Sequence, residues 1–307
     1  MLHRPQSTAE ALALLSLNDA KIIAGGTDIF PAHVDRPPPA RLVDISGLAD
    51  LRGVARHGAD IRIGAATTWT DIARAPLPRS FDMLKQASAQ VGAVQIQNRA
   101  TIGGNLCNAS PAADGVPPLL ALNARVELAS PRGLRTLALE HFLIGNRRTA
   151  RAADEIMTAI VVTTDAETAR SAFLKLGARS HLVISIVMVA ALLAVDERGA
   201  ISDARIAVGA ASAVAQRLHA LERRLVGRPA NERIADMIDP DDYSVLSPID
   251  DIRATASYRR AAADELGLSP SALSRRVAAL ERHSLNLIHG HEPPIHAPRT
   301  RRARGRS

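Results

Sequence analysis

Two short stretches of this 307-residue chain combine backbone freedom with short polar side chains. The longer runs Asn98-Arg99-Ala100-Thr101-Ile102-Gly103-Gly104-Asn105-Leu106-Cys107-Asn108-Ala109-Ser110-Pro111-Ala112-Ala113-Asp114. Paired glycines carry no Cβ, so they admit positive φ and let a ligand approach the backbone N–H groups. Thr101, Asn105, Asn108, Ser110 and Asp114 add hydrogen-bonding groups at short reach. Successive amides in such a turn form a concavity suited to phosphate; the same residues also make an ordinary Gly-Asn turn between strands. The second stretch, Ile22-Ile23-Ala24-Gly25-Gly26-Thr27-Asp28, sets a short apolar strand directly before an anion-binding type of turn. The G-x-G-x-x-G spacing and following helix of doubly wound dinucleotide folds are absent, so the two loops point to a flavin site of another architecture.

The elements that must hold these loops follow from periodicity. Residues 7–17 read as a helix, with Ser7 or Thr8 as N-cap, Glu10 in the capping-box position, and Ala11, Leu12, Leu14 and Leu15 at helical spacing. Lys21 to Ala24, Arg41 to Ile45 and Asp60 to Gly64 read as strands. The last of these opens a third small-residue loop, Gly64-Ala65-Ala66-Thr67-Thr68, after which Thr70 or Asp71 is positioned to cap a helix from Ile72. Helices are expected over Phe81 to Val91 and Leu119 to Leu122, and paired strands at Arg125 to Ala129 and Leu134 to Leu137 across Pro131-Arg132-Gly133. Strands follow at Glu155 to Val162, Ser171 to Leu176, Val183 to Val195 and Ile201 to Val208, then helices at 214–226 and 231–238. The fold class is α+β, and the last of these strands and helices form a sheet with helices on one face.

Composition narrows the function classes. Aromatic residues are 2% of the chain, so the core is built from Ala, Val, Leu and Ile. The richest apolar run, Leu182 to Val195, is too short to span a bilayer and reads as buried strand. With a patterned helix at the start rather than a leader, the expected location is cytoplasmic, with no membrane partner. The single cysteine, Cys107, excludes an internal disulfide and any cluster held by several thiolates of this chain; it reads as a small buried apolar residue. Five of the net seven positive charges belong to arginines in the last nine residues, leaving +2 for the rest. That places the basic character in a solvated tail rather than a nucleic-acid-binding body.

With these residues assembled, the chain resembles the FAD-binding subunit of the molybdenum hydroxylases, the xanthine dehydrogenase and carbon monoxide dehydrogenase group. The resemblance covers residues 4–260 and rests on order and spacing. It is carried by Ala24-Gly25-Gly26-Thr27-Asp28, Leu42-Val43-Asp44-Ile45-Ser46, Ile63-Gly64-Ala65-Ala66-Thr67-Thr68 and Gln97 to Asn105. Ala109-Ser110-Pro111-Ala112-Ala113-Asp114, Asp250-Asp251-Ile252-Arg253 and Tyr258-Arg259-Arg260 complete it. It implies a two-subdomain FAD-binding domain of the vanillyl-alcohol-oxidase-like (PCMH) type over residues 1–165, with subdomains of 1–48 and 49–165, and a smaller α+β C-terminal domain over 169–260. It implies non-covalent FAD, with the amides of Gly25, Gly26, Thr27 and Asp28, next to Ala24, on the pyrophosphate. Thr101, Gly103, Gly104, Asn105, Asn108, Ser110, Asp114 and Met157 would line the ribityl chain and flavin. Lys175 would lie near the isoalloxazine edge, where a cation stabilises negative charge on the reduced ring.

The implied partners are a large subunit with the molybdenum cofactor and a small subunit with two [2Fe–2S] clusters, the flavin passing electrons to a soluble acceptor. No catalytic acid or base and no metal ligand is expected on this chain. Two departures bear on the site: Arg179-Ser180-His181-Leu182-Val183 stands where relatives carry acidic residues, leaving the acceptor open, and Val91 or Val94 replaces an aromatic. Beyond Arg260, residues 261–283 form a helical hairpin or a helix-turn-helix resembling that of LysR-type regulators. It has a turn at Gly267, and Arg275 and Arg276 lie on its second helix. Residues 284–307 form the basic tail. The competing functions are a stand-alone FAD oxidoreductase and a flavin-containing regulator that binds DNA through 261–281.

Overall fold

The computed structural model describes residues 1–268 except 18, 36, 165–168, 180–181 and 231–236. The chain opens with β1 (Leu2–His3), α1 (Thr8–Leu15), β2 (Ala20–Ile23) and β3 (Arg41–Asp44), the strands forming a parallel sheet in the order β1-β3-β2. Ser7 caps α1, its Oγ accepting from the Glu10 amide at 3.1 Å. The return bond of the box is displaced by one residue, since the Glu10 carboxylate accepts from the Gln6 amide at 2.7 Å. Ala11 and Leu15 pack against Val43 and Ile45, so this small sheet has its own core.

The next sheet is antiparallel, in the order β4-β5-β10-β6-β7, from β4 (Val54–His57), β5 (Asp60–Gly64), β6 (Arg125–Ser130), β7 (Gly133–Ala138) and β10 (Ile156–Thr163). Central β10 is buried from Ile156 to Val162, which accounts for an apolar run interrupted only by Thr158, whose hydroxyl donates to Glu127 O at 3.4 Å. Between β5 and β6 lie α2 (Trp69–Arg74), α3 (Asp82–Ser88), α4 (Val94–Gln97), α5 (Ile102–Asn108) and α6 (Val116–Ala121). After β7 come α7 (Leu139–Phe142) and the hairpin β8 (Leu143–Gly145) with β9 (Arg148–Thr149). Helix α2 starts earlier than the spacing predicts: Thr68, not Thr70 or Asp71, is the N-cap, and Asp71 closes a full capping box with it. Starting there buries Trp69, the only tryptophan of the chain.

The third sheet, β11-β12-β13-β14, comprises β11 (Arg170–Leu176), β12 (Val187–Val195), β13 (Ile201–Gly209) and β14 (Gln216–Arg217), followed by α8 (His219–Leu225) and α9 (Ala256–Leu268). The expected single helical face is corrected here. Val187, Val189, Ala191 and Leu193 of β12 face the core shared with α8 and α9, whereas Met188, Ala190 and Leu192 join the main core with α3 and α6. A strand apolar on both faces has to be covered on both, and the preceding part of the chain supplies the second cover. Gln86 Oε1 of α3 also accepts from the Phe173 amide at 2.8 Å, and Ser171 Oγ accepts from the Met83 amide at 3.0 Å.

Two further expectations shift. The first half of the predicted helix at 214–226 is β14, and α9 continues through Gly267 to Leu268 where a turn was expected. Residues 269–307, with the second helix of the proposed hairpin and the tail, lie outside the described residues, as do 231–236.

The Asp250 to Arg260 motifs tie α9 to the sheet. Arg259, 1% exposed, donates to the carbonyls of Ile186 and Ala210 at 2.6 and 2.9 Å and to Asp251 Oδ1 at 2.7 Å. Hydrogen bonds from Arg253, assisted by Arg259, hold the Asp251 carboxyl far below the usual carboxylate range. A depressed folded-state value means that the unfolded chain takes up the proton first, so this contribution is present above about pH 4 and is lost as pH falls below it. Thermal melts between about pH 5 and pH 2 are expected to show wild-type stability falling more steeply than that of Asp251→Asn. Parallel slopes would remove the clamp from the account of acid stability.

Candidate functional site

The long stretch read as a ligand-wrapping loop is largely helix. Thr101 caps α5, its Oγ accepting from the Gly104 amide at 3.1 Å, and Ala109 ends it at φ 46°. Gly103 and Gly104 therefore do not adopt positive φ. A Gly-Gly-Asn start has poor helix propensity; buried Ile102 and Leu106 and the contacts of Gly103 impose the helix. A Cβ on Gly103 would stand 2.7 Å from the Ala65 carbonyl oxygen, whose bond from the Gly103 amide is 2.8 Å long. The third small-residue loop is thus laced to the long stretch, with the Ile102 amide on Thr67 O at 3.0 Å and a bridge between Thr68 and Thr101.

The first glycine pair docks on the same stretch. A Cβ on Gly25 would lie 2.0 Å from Arg99 O, so only glycine allows this backbone contact. Gly26 is the one that uses positive φ, at 74°. Two loops more than seventy residues apart in sequence become adjacent walls of one cavity of about 770 Å³, within the roughly 300–1,000 Å³ typical of cofactor pockets.

Ala24, Gly25, Gly26, Thr27 and Asp28 line one side of it, and Thr101, Gly103, Gly104, Asn105 and Asn108 another. Ser110, Asp114 and Met157 complete the expected set on its wall. The rim includes Val91, Gly92 and Ala93 from one side and Leu182, Val183 and Ile184 from the other; that last segment precedes β12, which starts at Val187 rather than Val183.

Lys175 is the exception: it does not line the cavity but stands behind Asp114. Its Nζ donates to Asp114 Oδ2 at 2.6 Å and to Gln90 O at 3.2 Å, while Ser185 Oγ donates to Asp114 Oδ1 at 2.6 Å. Burial pushes the Asp114 carboxyl up, against the pull of Lys175 and Ser185. Lys175, expected near the isoalloxazine edge, is thus the buried member of an ion pair whose carboxylate is on the cavity wall.

Among the lining residues not read from the sequence as part of the site are Trp69, Arg147 and Arg151. Nothing in their local spacing marks them; Arg147 enters through the turn between β8 and β9, at φ 53°. Cys107 also lines the cavity, and burial pushes its thiol up to about 11 despite Arg151, so it stays protonated at neutral pH.

The polar groups here are unfinished without a ligand. Among the described residues, the amides of Gly25, Gly26, Thr27 and Asp28 meet no protein acceptor. Of five buried side-chain polar atoms without a partner among the described residues, Trp69 Nε1 and Asn105 Oδ1 belong to residues that line the cavity. Buried polar atoms in native proteins are paired almost without exception. The donor set, four successive amides near Arg147 and Arg151, suits an anion such as a diphosphate.

Fold and site together define a flavin-binding chain, and comparison with known proteins agrees. Residues 1–163 match the FAD binding domain in molybdopterin dehydrogenase, and residues 171–268 match the CO dehydrogenase flavoprotein C-terminal domain. The chain is 33% identical over 262 residues to a putative xanthine dehydrogenase FAD-binding subunit of Escherichia coli K12, covering 84% of this chain and 89% of that one. It is 34% identical to a nicotinate dehydrogenase FAD-subunit of Eubacterium barkeri, covering 83% and 89%. A solved carbon monoxide dehydrogenase of Hydrogenophaga pseudoflava superposes with a TM-score of 0.80 at 30% identity, covering 89% of this chain and 95% of that one. The chain belongs to the family of FAD-binding subunits of molybdenum hydroxylases, and is an oxidoreductase component. The unpaired amides and the orphaned polar atoms fit FAD. No helix among the described residues is long and apolar enough to cross a membrane.

Proposed function

We propose that this chain holds FAD non-covalently in the cavity between its two glycine loops and serves as the electron relay of a three-subunit hydroxylase. In this reading a molybdenum-cofactor subunit oxidises the organic substrate, a small subunit with two [2Fe–2S] clusters carries the electrons, and this chain delivers them to a soluble acceptor. The observation that carries it is the row of unpaired amides from Gly25 to Asp28 on the wall of a cofactor-sized cavity. The lone cysteine supports the division of labour, since one thiolate cannot hold an iron–sulfur cluster.

The bound flavin supplies the redox chemistry; the residues of this chain bind and orient it. The Gly25 to Asp28 amides hold the diphosphate. Thr101, Gly104, Asn105, Asn108 and Ser110 line the chain that links it to the ring, and Met157 packs beside it. Asp114, kept in place by Lys175 and Ser185, would offer a fixed carboxylate from the cavity wall to the bound flavin. Val91, Ala93, Leu182 and Ile184 add apolar surface to the cavity lining.

Trp69 makes the test direct, because the only tryptophan lies at 0% exposure on this cavity. Flavin absorbs where tryptophan emits, so titrating the purified chain with FAD is expected to remove most of the Trp69 emission. The visible spectrum should show flavin bands and no cluster bands. The isolated chain should reduce dyes from an external donor but leave organic substrates untouched. A colourless chain whose emission ignores FAD would overturn the reading; turnover of an organic substrate without partners would favour the stand-alone enzyme.

A further inference from the structure

We propose that Arg147 recognises the diphosphate of the bound dinucleotide, a specificity-determining contact held in position by Asn108. This rests on reading the cavity as an FAD site. The Arg147 Nη1 donates to Asn108 Oδ1 at 2.6 Å, and Asn108 Nδ2 donates to Asp28 Oδ1 at 2.9 Å. One amide side chain therefore ties the β8–β9 turn to the last residue of the Gly25 to Asp28 turn. The Arg147 backbone is fixed too, its amide donating to Ala109 O at 2.8 Å at a positive φ that a non-glycine residue adopts only when its surroundings impose it.

The electrostatics call for a cation at this end. A diphosphate brings two negative charges, successive amides supply only partial positive charge, and Asp28 adds a carboxylate to the same turn. Among the described residues the cations on the cavity are Lys21, Arg147 and Arg151. Arg151 Nη1 is committed to the carbonyls of Ala152 and Glu155 at 3.1 and 2.7 Å. Arg147 is the one tethered to the amide turn; it forms no ion pair with a described carboxylate, and its Nε and Nη2 donors are uncommitted. A planar guanidinium with two such donors can grip a phosphate in two-point fashion, which an ammonium cannot.

The test titrates the full chain with FAD and with riboflavin, which lacks phosphate, following Trp69 emission at low and high salt. Arg147→Ala is expected to weaken FAD binding about 10–100-fold, the worth of one charge-assisted hydrogen-bonded contact. Riboflavin affinity should be unchanged, and the salt dependence of FAD binding should flatten. Arg147→Lys should recover part of the loss, and serves as the test if the alanine variant does not fold. Failure of the wild-type chain to bind FAD would sink the cavity reading itself. Wild-type binding with equal losses for FAD and riboflavin, or with FAD affinity and salt slope unmoved in either variant, would overturn the role of Arg147 alone.

Discussion

Gly25→Ala is expected to empty the chain of FAD and to lower its stability by about 3 kcal/mol, the upper range for overpacking a tight contact. The added methyl would lie 2.0 Å from Arg99 O and 2.7 Å from Arg99 C. Both are backbone atoms and cannot rotate away. The segment from Ala24 to Asp28 has to lift from the start of the long stretch, displacing the unpaired amides of the cavity wall. Flavin absorbance after gel filtration and a urea melt would measure the two effects. Gly47→Ala is the control, since a Cβ there meets nothing within 4 Å. Full flavin retention in Gly25→Ala would mean that the contact between the two glycine loops does not shape the site.

Asp114→Ala is expected to cost more, because it strands a charge. Lys175 and Asp114 side chains are 6% and 8% exposed. Removing one partner of a buried ion pair typically destabilises by about 3–5 kcal/mol, most of it from the ion left behind. Ser185 loses its acceptor as well, and with it goes the anchor of the Leu182 to Ile184 segment on the cavity rim. Loss of flavin in this variant therefore has two sources, a missing contact and a loosened rim. The double variant Asp114→Leu with Lys175→Met separates them: stability should largely return, because no charge is left buried, while flavin binding should not. Denaturant melts of the single and double variants, each paired with an FAD titration, would decide. A single variant as stable as wild type would show that Lys175 finds water on losing its partner.

The two sequence-legible features of the site differ in how they were legible. The strand and turn of the Ile22 to Asp28 segment are legible from local pattern, because a short apolar strand ending in Gly-Gly leaves the chain few options and the positive φ at Gly26 demands glycine directly. For the long stretch, residue types were informative while the conformation was not. Gly103 is glycine because another backbone passes against it, a contact with Ala65, nearly forty residues earlier, that no local rule contains. The same holds for the N-cap of α2, where Thr68 prevails over two neighbours because starting the helix there buries Trp69.

By itself, the amino-acid sequence determined the α+β class, the order of most strands, the absence of any thiolate cluster, and the short polar residues and glycines that line the cavity. These follow from periodicity, chain chemistry and counting, which are local or additive. Only the tertiary structure decided which of those groups meet. It joined Lys175 to Asp114 as a buried ion pair, with the carboxylate on the cavity wall. It brought Trp69, Arg147 and Arg151 onto the wall, and it covered the third sheet on both faces. The physical reason is common to all three: burial, pairing and close approach depend on what lies opposite in space, and sequence spacing does not encode that.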